Sequence, residues 1–208
     1  MKSPRFIMVL FVAWALTPNL AIAQGNAVTG SVFLHGVPAD GAVVYLSHGS
    51  VLLDTTTPEP FVIDQRSLRF VPQVLSVLPG QEVQFRNSDP LFHNVFSPDT
   101  LGEDFNLGTY PAGQGRSHRF RRPGVHSILC HVDPEMEAYV VVVTTPYHGV
   151  SDATGRFRIG KLPPGTYALE VWHRRAAPYR RTVTVRENDD LRLEIRLDGR
   201  RSALRARR

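Results

Sequence analysis

The residues most able to do chemistry in this chain are two sulfur side chains that lie close together. Cys130 is the single cysteine among the 208 residues, and Met136 is the single methionine beyond position 8. A thiolate and a thioether are soft ligands, and soft ligands select copper over harder metals. Because both occur within one short stretch, the pattern indicates a copper site. The alternative for Cys130 is a structural role as a small buried apolar residue.

The N-terminal segment indicates the compartment in which this chemistry would occur. Residues 1–23 carry two cations, an apolar run from Phe6 to Leu16 and the small-residue site Ala21-Ile22-Ala23. This order is typical of a secretory signal peptide, and the run is too short to cross a bilayer. We therefore expect a mature protein that begins at Gln24, is periplasmic or secreted and has no stable membrane span. An oxidising compartment makes an unpaired thiol a liability, so Cys130 needs a specific role.

The formal net charge of +5 does not indicate a nucleic-acid partner. Seven of the 24 basic residues lie at the two ends of the chain, five of them in the Arg-rich tail 200–208, so the remainder is slightly acidic. The interior has no basic stripe with interleaved aromatic residues, which argues against nucleic-acid binding. We interpret the tail as a solvated end, with an anionic docking arm as the alternative.

The elements that must position the sulfur ligands are strands. Sixteen glycines and sixteen prolines interrupt the chain, and no segment after residue 24 repeats apolar residues at helical spacing for three turns. The run from Leu191 to Leu197 instead alternates apolar and charged residues, which predicts a half-buried strand. The sequence therefore predicts an all-β protein of one or two sandwiches.

The C-terminal part contains two motifs, Asp152-Ala153-Thr154-Gly155-Arg156-Phe157 and Leu162-Pro163-Pro164-Gly165-Thr166-Tyr167. Through them it resembles the carboxypeptidase regulatory-like (transthyretin-like) sandwich family. Members usually begin with two strands like those at 28–32 and 41–46. We therefore predict a discontinuous sandwich formed by residues 25–55 and 147–199, with residues 58–145 inserted as a second domain. The alternative is two domains in simple succession.

The insert combines His93-Asn94-Val95 with Cys130, 37 positions after His93, and with Met136. In this it resembles the cupredoxins of the plastocyanin and amicyanin type, whose ligand loop has the form C-x-x-H-x-x-M. The resemblance implies a Greek-key sandwich that binds one copper ion, with His93 and Cys130 as equatorial ligands and Met136 as the axial ligand. It also implies that Asn94 links the histidine strand to the cysteine loop through hydrogen bonds. The combination of both domains resembles exported proteins of the methylamine-utilisation-like type.

The ligand loop departs from the cupredoxin pattern at one position. Asp133 stands where the family has its second histidine, and a histidine occurs instead at position 131. Asp133 could bind as a carboxylate, which would favour Cu(II) and lower the reduction potential. His131 could replace the missing ligand, although a residue next to Cys130 in an extended strand points to the opposite side. The third possibility is a fold that has lost its copper.

The predicted function is copper binding for single-electron transfer or copper handling, with an exported redox protein as partner. An enzyme is not expected, because the chain has no paired carboxylates at catalytic spacing, no nucleophile elbow, no zinc motif and no phosphate loop. A metal-free β-sandwich that binds a glycan or a protein is the alternative. A copper enzyme with an open coordination position is a third hypothesis.

Overall fold

The computed structural model describes residues 26–49, 53–55, 59–98 and 101–200. These residues form seventeen strands and no helix, so the predicted all-β class is confirmed. The described part of the chain holds no helix long and apolar enough to cross a membrane. The predicted signal peptide 1–23 and positions 201–208 of the Arg-rich tail lie outside the described residues.

The strands in chain order are β1 (Asn26–Leu34), β2 (Val37–Pro38), β3 (Val43–Ser47), β4 (Phe61–Gln65), β5 (Phe70–Val71), β6 (Val74–Val77), β7 (Glu82–Asn87), β8 (His93–Ser97), β9 (Phe105–Tyr110), β10 (Gly115–Arg119), β11 (Gly124–Leu129), β12 (Glu137–Val142), β13 (His148–Val150), β14 (Arg156–Leu162), β15 (Gly165–Trp172), β16 (Tyr179–Val185) and β17 (Leu191–Leu197). They form four sheets. Two sheets build each of two sandwiches.

The first sandwich consists of strands β4 to β12. One of its sheets has the order β10-β7-β4-β5 and the other the order β6-β12-β11-β8-β9. Side chains from both sheets meet in one core, which includes Phe85, Phe120, Ile128 and Val140. Alternate residues of each strand point into this core because side chains in a strand alternate between its two faces. We call this unit the first sandwich.

The second sandwich combines the segments on either side of the first. Strand β1 pairs with β14 and β17, and β3 pairs with β13 and β15. Residues 26–47 and 148–197 consequently bury one core, represented by Val28, Leu46, Leu169 and Ile195. The last strand shows the predicted alternation, since the charged residues of β17 are exposed and its apolar residues face inward.

A third apolar cluster joins the two sandwiches. Val141 and Val143 point away from the first core and pack in one cluster with Val43 of β3. The Tyr139 and Trp172 rings lie 5.2 Å apart across this boundary. Strand β12 is therefore apolar on both faces, which explains its nearly uninterrupted run of valines. The four sheets stack as layers, with β6 and β12 facing the sheet that contains β3 and β15.

Gly30 occupies a position where a side chain cannot fit. A Cβ atom on Gly30 would collide with the backbone carbonyl oxygen of Leu193 and approach the Phe157 ring to 2.9 Å. Overpacking at such a site destabilises a core, so Gly30→Ala should lower the free energy of unfolding by about 2–3 kcal/mol. Gly160→Ala on β14 is the matched control, because no atom lies within 4 Å of its Cβ position. Urea denaturation of both variants tests this, and equal losses would contradict it.

His148 makes the stability of the protein depend on pH. Its Nδ1 lies 2.7 Å from the Ser76 Oγ between the two sandwiches, and burial lowers its pKa. Below about pH 6.5 the unfolded chain binds a proton at this histidine that the folded chain resists. We expect the free energy of unfolding to decrease as pH falls from 7.5 to 5.5, and His148→Asn to reduce that dependence. Burial also lowers the pKa of His118 and His173, so part of the dependence should persist. An unchanged slope in His148→Asn would refute the assignment.

Candidate metal centre

The predicted ligands lie at one end of the sheet that contains β8, β11 and β12. His93 is the first residue of β8, Cys130 directly follows β11, and Met136 directly precedes β12. Strands β8 and β11 are antiparallel neighbours, and β11 is also antiparallel to β12. The start of β8, the end of β11 and the start of β12 therefore meet at the same end of the sheet. Topology alone brings together residues that are 37 positions apart.

His93 and Cys130 face each other at this end of the sheet. The His93 Nδ1 and the Cys130 Sγ are 3.8 Å apart, and the two residues are 0% and 3% exposed. A metal ion with bonds of about 2.3 Å to sulfur and about 2.0 Å to nitrogen holds those atoms about 3.8 Å apart when the bond angle is roughly 120°. The separation of the two donors therefore fits a shared metal ion.

Met136 lies in the same apolar cluster as Cys130. It is almost completely buried, and its backbone N–H donates to the Asp133 carbonyl at 3.1 Å, which closes the loop after Cys130. A thioether in a dry, rigid position is a weak soft ligand of the kind found at the axial position of copper sites. His93 and Cys130 place an imidazole and a thiol side by side, and the Met136 thioether lies in the same core cluster as Cys130.

The sequence did not reveal Asp89 as part of this site. Its Oδ2 accepts a hydrogen bond from the His93 Nε2–H at 2.9 Å and another from the Leu68 N–H at 2.9 Å, while its Oδ1 accepts from the Ser67 N–H. Burial raises the pKa of the Asp89 carboxyl, but the hydrogen bonds from Leu68, Ser67 and His93 outweigh burial and hold the pKa below its usual value. An ionised carboxylate accepts only, so the proton of His93 resides on Nε2. Nδ1 is the ring nitrogen that faces Cys130, and in a neutral imidazole it carries the lone pair.

Asn94 makes a different contact from the one expected. Its side-chain amide donates to the Asn106 Oδ1 at 2.9 Å, on the neighbouring strand β9, and its own Oδ1 has no hydrogen-bond partner. This links β8 to β9 rather than to the loop after Cys130. The pairing of β8 with β9 is irregular between Asn94 and Phe96, and such an irregularity changes the direction of the side chains around it.

The two candidates for a further ligand lie apart from the pair. The Asp133 Oδ1 accepts a hydrogen bond from the Glu135 N–H at 2.9 Å, and the exposed His131 ring stacks on Phe96 with ring centroids 3.8 Å apart. Within the described ranges no group of three or more His, Cys, Asp or Glu side chains could hold a metal ion. A role for Asp133 or His131 as a ligand therefore stays a prediction, and it requires the loop 131–135 to move.

Comparisons with known proteins relate two parts of the chain to two kinds of protein. Residues 133–198 match the family model of the carboxypeptidase regulatory-like domain, which confirms the resemblance carried by the motifs at 152–157 and 162–167. No curated protein matches the chain.

Solved structures of amicyanin and of a cupredoxin are similar to part of the chain. The reduced W45Y mutant of amicyanin is 22% identical, with 42% of this chain and 86% of that chain covered and a TM-score of 0.39. Amicyanin from Paracoccus versutus (Thiobacillus versutus) is 18% identical, with 42% and 85% covered and a TM-score of 0.39. A novel purple cupredoxin from Nitrosopumilus maritimus is 24% identical, with 40% and 99% covered and a TM-score of 0.37.

Proposed function

We propose that this chain is an exported protein that binds one copper ion and uses it for single-electron transfer or copper handling. The observation that carries the proposal is the buried pair of His93 Nδ1 and Cys130 Sγ, 3.8 Å apart, with the other imidazole nitrogen engaged by Asp89. Met136, which lies in the same core cluster as Cys130, would complete the donor set. The signal-peptide pattern of residues 1–23 supports export.

The donor set suits a metal that changes oxidation state. Imidazole is a good ligand of Cu(II), thioether tolerates Cu(I), and thiolate binds both. Copper bound here would supply one-electron redox chemistry. The protein's part is to hold His93 in its Nε2–H tautomer, to release the Cys130 proton when the metal binds and to keep the site dry. A β-sandwich core changes its geometry little between oxidation states, which keeps rearrangement small during electron transfer.

Exposed apolar side chains next to the ligands support a protein partner. Leu91 and Phe92 immediately precede His93, and Val132 lies two residues after Cys130; all three are more than half exposed. Large exposed apolar residues grouped around a site commonly mark an interaction surface. We propose that an exported redox protein exchanges electrons with the site here, and that the chain has no catalytic turnover of its own.

Metal analysis and a visible spectrum of residues 24–208 after addition of Cu(II) and gel filtration test this proposal. We expect one copper per chain and a thiolate-to-copper absorption that disappears on reduction and returns on oxidation. Asp133→Ala and His131→Ala, measured in parallel, show whether either residue contributes a ligand. Failure of the unmutated protein to retain copper would favour the second candidate, a metal-free binding module. That candidate is supported by the described residues, which contain no group of three or more His, Cys, Asp or Glu side chains that could hold a metal ion.

A further inference from the structure

We propose that Asp89 is a positioning residue, which fixes the ring orientation and tautomer of His93 so that Nδ1 is ready to bind a metal. The inference rests on the proposed copper site and deepens it. It concerns a residue on the opposite side of the imidazole from Cys130. The hydrogen bond to Nε2 keeps Asp89 away from the metal side of the ring.

The Asp89 carboxylate is itself held in place by the backbone. It is 6% exposed and accepts three hydrogen bonds, from the N–H groups of Ser67 and Leu68 and from His93 Nε2. Its own N–H donates to the Asn87 Oδ1 at 3.0 Å. The three hydrogen bonds come from two different parts of the chain, the turn at Ser67 and Leu68 and the start of β8, and together they define the orientation of the carboxylate. The imidazole that donates to it is fixed in turn.

The turn that supplies two of these donors is built at an energetic cost. Arg66 and Arg69 exchange backbone hydrogen bonds of 2.9 and 3.2 Å, which closes a two-residue turn between β4 and β5. Ser67 and Leu68, the two central residues, have φ values of 54° and 56°. Such turns ordinarily contain Asn and Gly, since other residues are strained at positive φ. In this conformation both N–H groups bind Asp89, which compensates for the strain.

This support acts on the metal through His93. A carboxylate on the distal nitrogen fixes the tautomer of a ligating histidine and increases the basicity of the ligating nitrogen, and loss of such a partner typically weakens metal binding about 10–100-fold. Removing Asp89 leaves the buried Nε2–H without an acceptor and lets the ring turn about its Cβ–Cγ bond. An added negative charge near the site also favours Cu(II) over Cu(I).

The test compares Asp89→Ala and Asp89→Asn with Asp152→Ala in the full mature chain. Asp152 is the matched control, because its carboxylate also accepts backbone N–H groups in a turn, those of Thr154 and Arg156, but in the second sandwich. The first measurement is nitrogen NMR of the metal-free protein. We expect a protected ring N–H on His93 Nε2 in the unmutated protein and in Asp152→Ala, a weaker signal in Asp89→Asn, and none in Asp89→Ala.

The second measurement is copper affinity by chelator competition, with the reduction potential. We expect Asp89→Ala to bind copper about 10–100-fold more weakly than the unmutated protein. The copper affinity of Asp89→Asn should lie between those of Asp89→Ala and the unmutated protein, and the reduction potentials of both variants should rise. Asp152→Ala, which removes a carboxylate from a turn of the second sandwich, should leave both quantities unchanged. Equal copper affinity in Asp89→Ala and the unmutated protein would overturn this inference alone. Absence of copper binding by the unmutated protein would overturn the proposed function and this inference together, while the NMR signal would still report the Asp89 to His93 contact.

Discussion

Replacing Val141 by Asp should unfold both sandwiches in a single transition at much lower denaturant concentration. Val141 is 4% exposed on the face of β12 that packs against the second sandwich. The new carboxylate would be buried among the apolar side chains of this cluster, and burial of a charge in such surroundings costs several kcal/mol. We expect the free energy of unfolding to fall by more than about 4 kcal/mol. Because Trp172 belongs to the same cluster, its fluorescence reports this boundary directly.

Val37→Asp is the control for the added charge. Val37 is 64% exposed on β2, so the same substitution there should change the free energy of unfolding by no more than about 0.5 kcal/mol. Far-UV circular dichroism, recorded together with Trp172 fluorescence, distinguishes a single unfolding transition from two separate ones. Two separate transitions in Val141→Asp, with one sandwich unaffected, would contradict coupling of the two sandwiches through this cluster.

Replacing Cys130 by Ser should abolish the thiolate-to-copper absorption and weaken copper binding by more than about 100-fold, because a hydroxyl stays protonated and is a harder ligand than a thiolate. The fold should survive, since the two side chains are similar in size. Chelator competition and visible absorption measure the two effects. His131→Ala is the control, because its ring lies on the outer side against Phe96. Loss of copper binding in His131→Ala, together with retention of copper in Cys130→Ser, would show that copper is not bound between His93 and Cys130.

The sequence was sufficient to predict features that depend on neighbouring residues or on amino-acid type. The alternation along Leu191–Leu197 predicted a half-buried strand because side chains alternate between faces over a few positions. The isolated sulfur residues Cys130 and Met136 pointed to soft-metal chemistry by type alone. The family motifs added a resemblance that local patterns could not provide.

Features that depend on residues distant in the chain could not be predicted from the sequence. Asp89 stands four positions before His93, but its function depends on Ser67 and Leu68, whose N–H groups reach it through the turn between β4 and β5. Asn94 donates to Asn106 on β9, next to a local irregularity in the pairing of β8 with β9. An apolar run likewise predicts a strand at β12 without revealing that its outer face packs on the second sandwich.

X-ray absorption spectroscopy of the copper-loaded protein tests the central claim most directly, because it reports the atoms bonded to the metal. The arrangement of His93 and Cys130 predicts one short copper–sulfur bond and at least one imidazole nitrogen, with the sulfur signal absent in Cys130→Ser. A coordination shell of nitrogen and oxygen alone in the unmutated protein would contradict copper binding between these two residues.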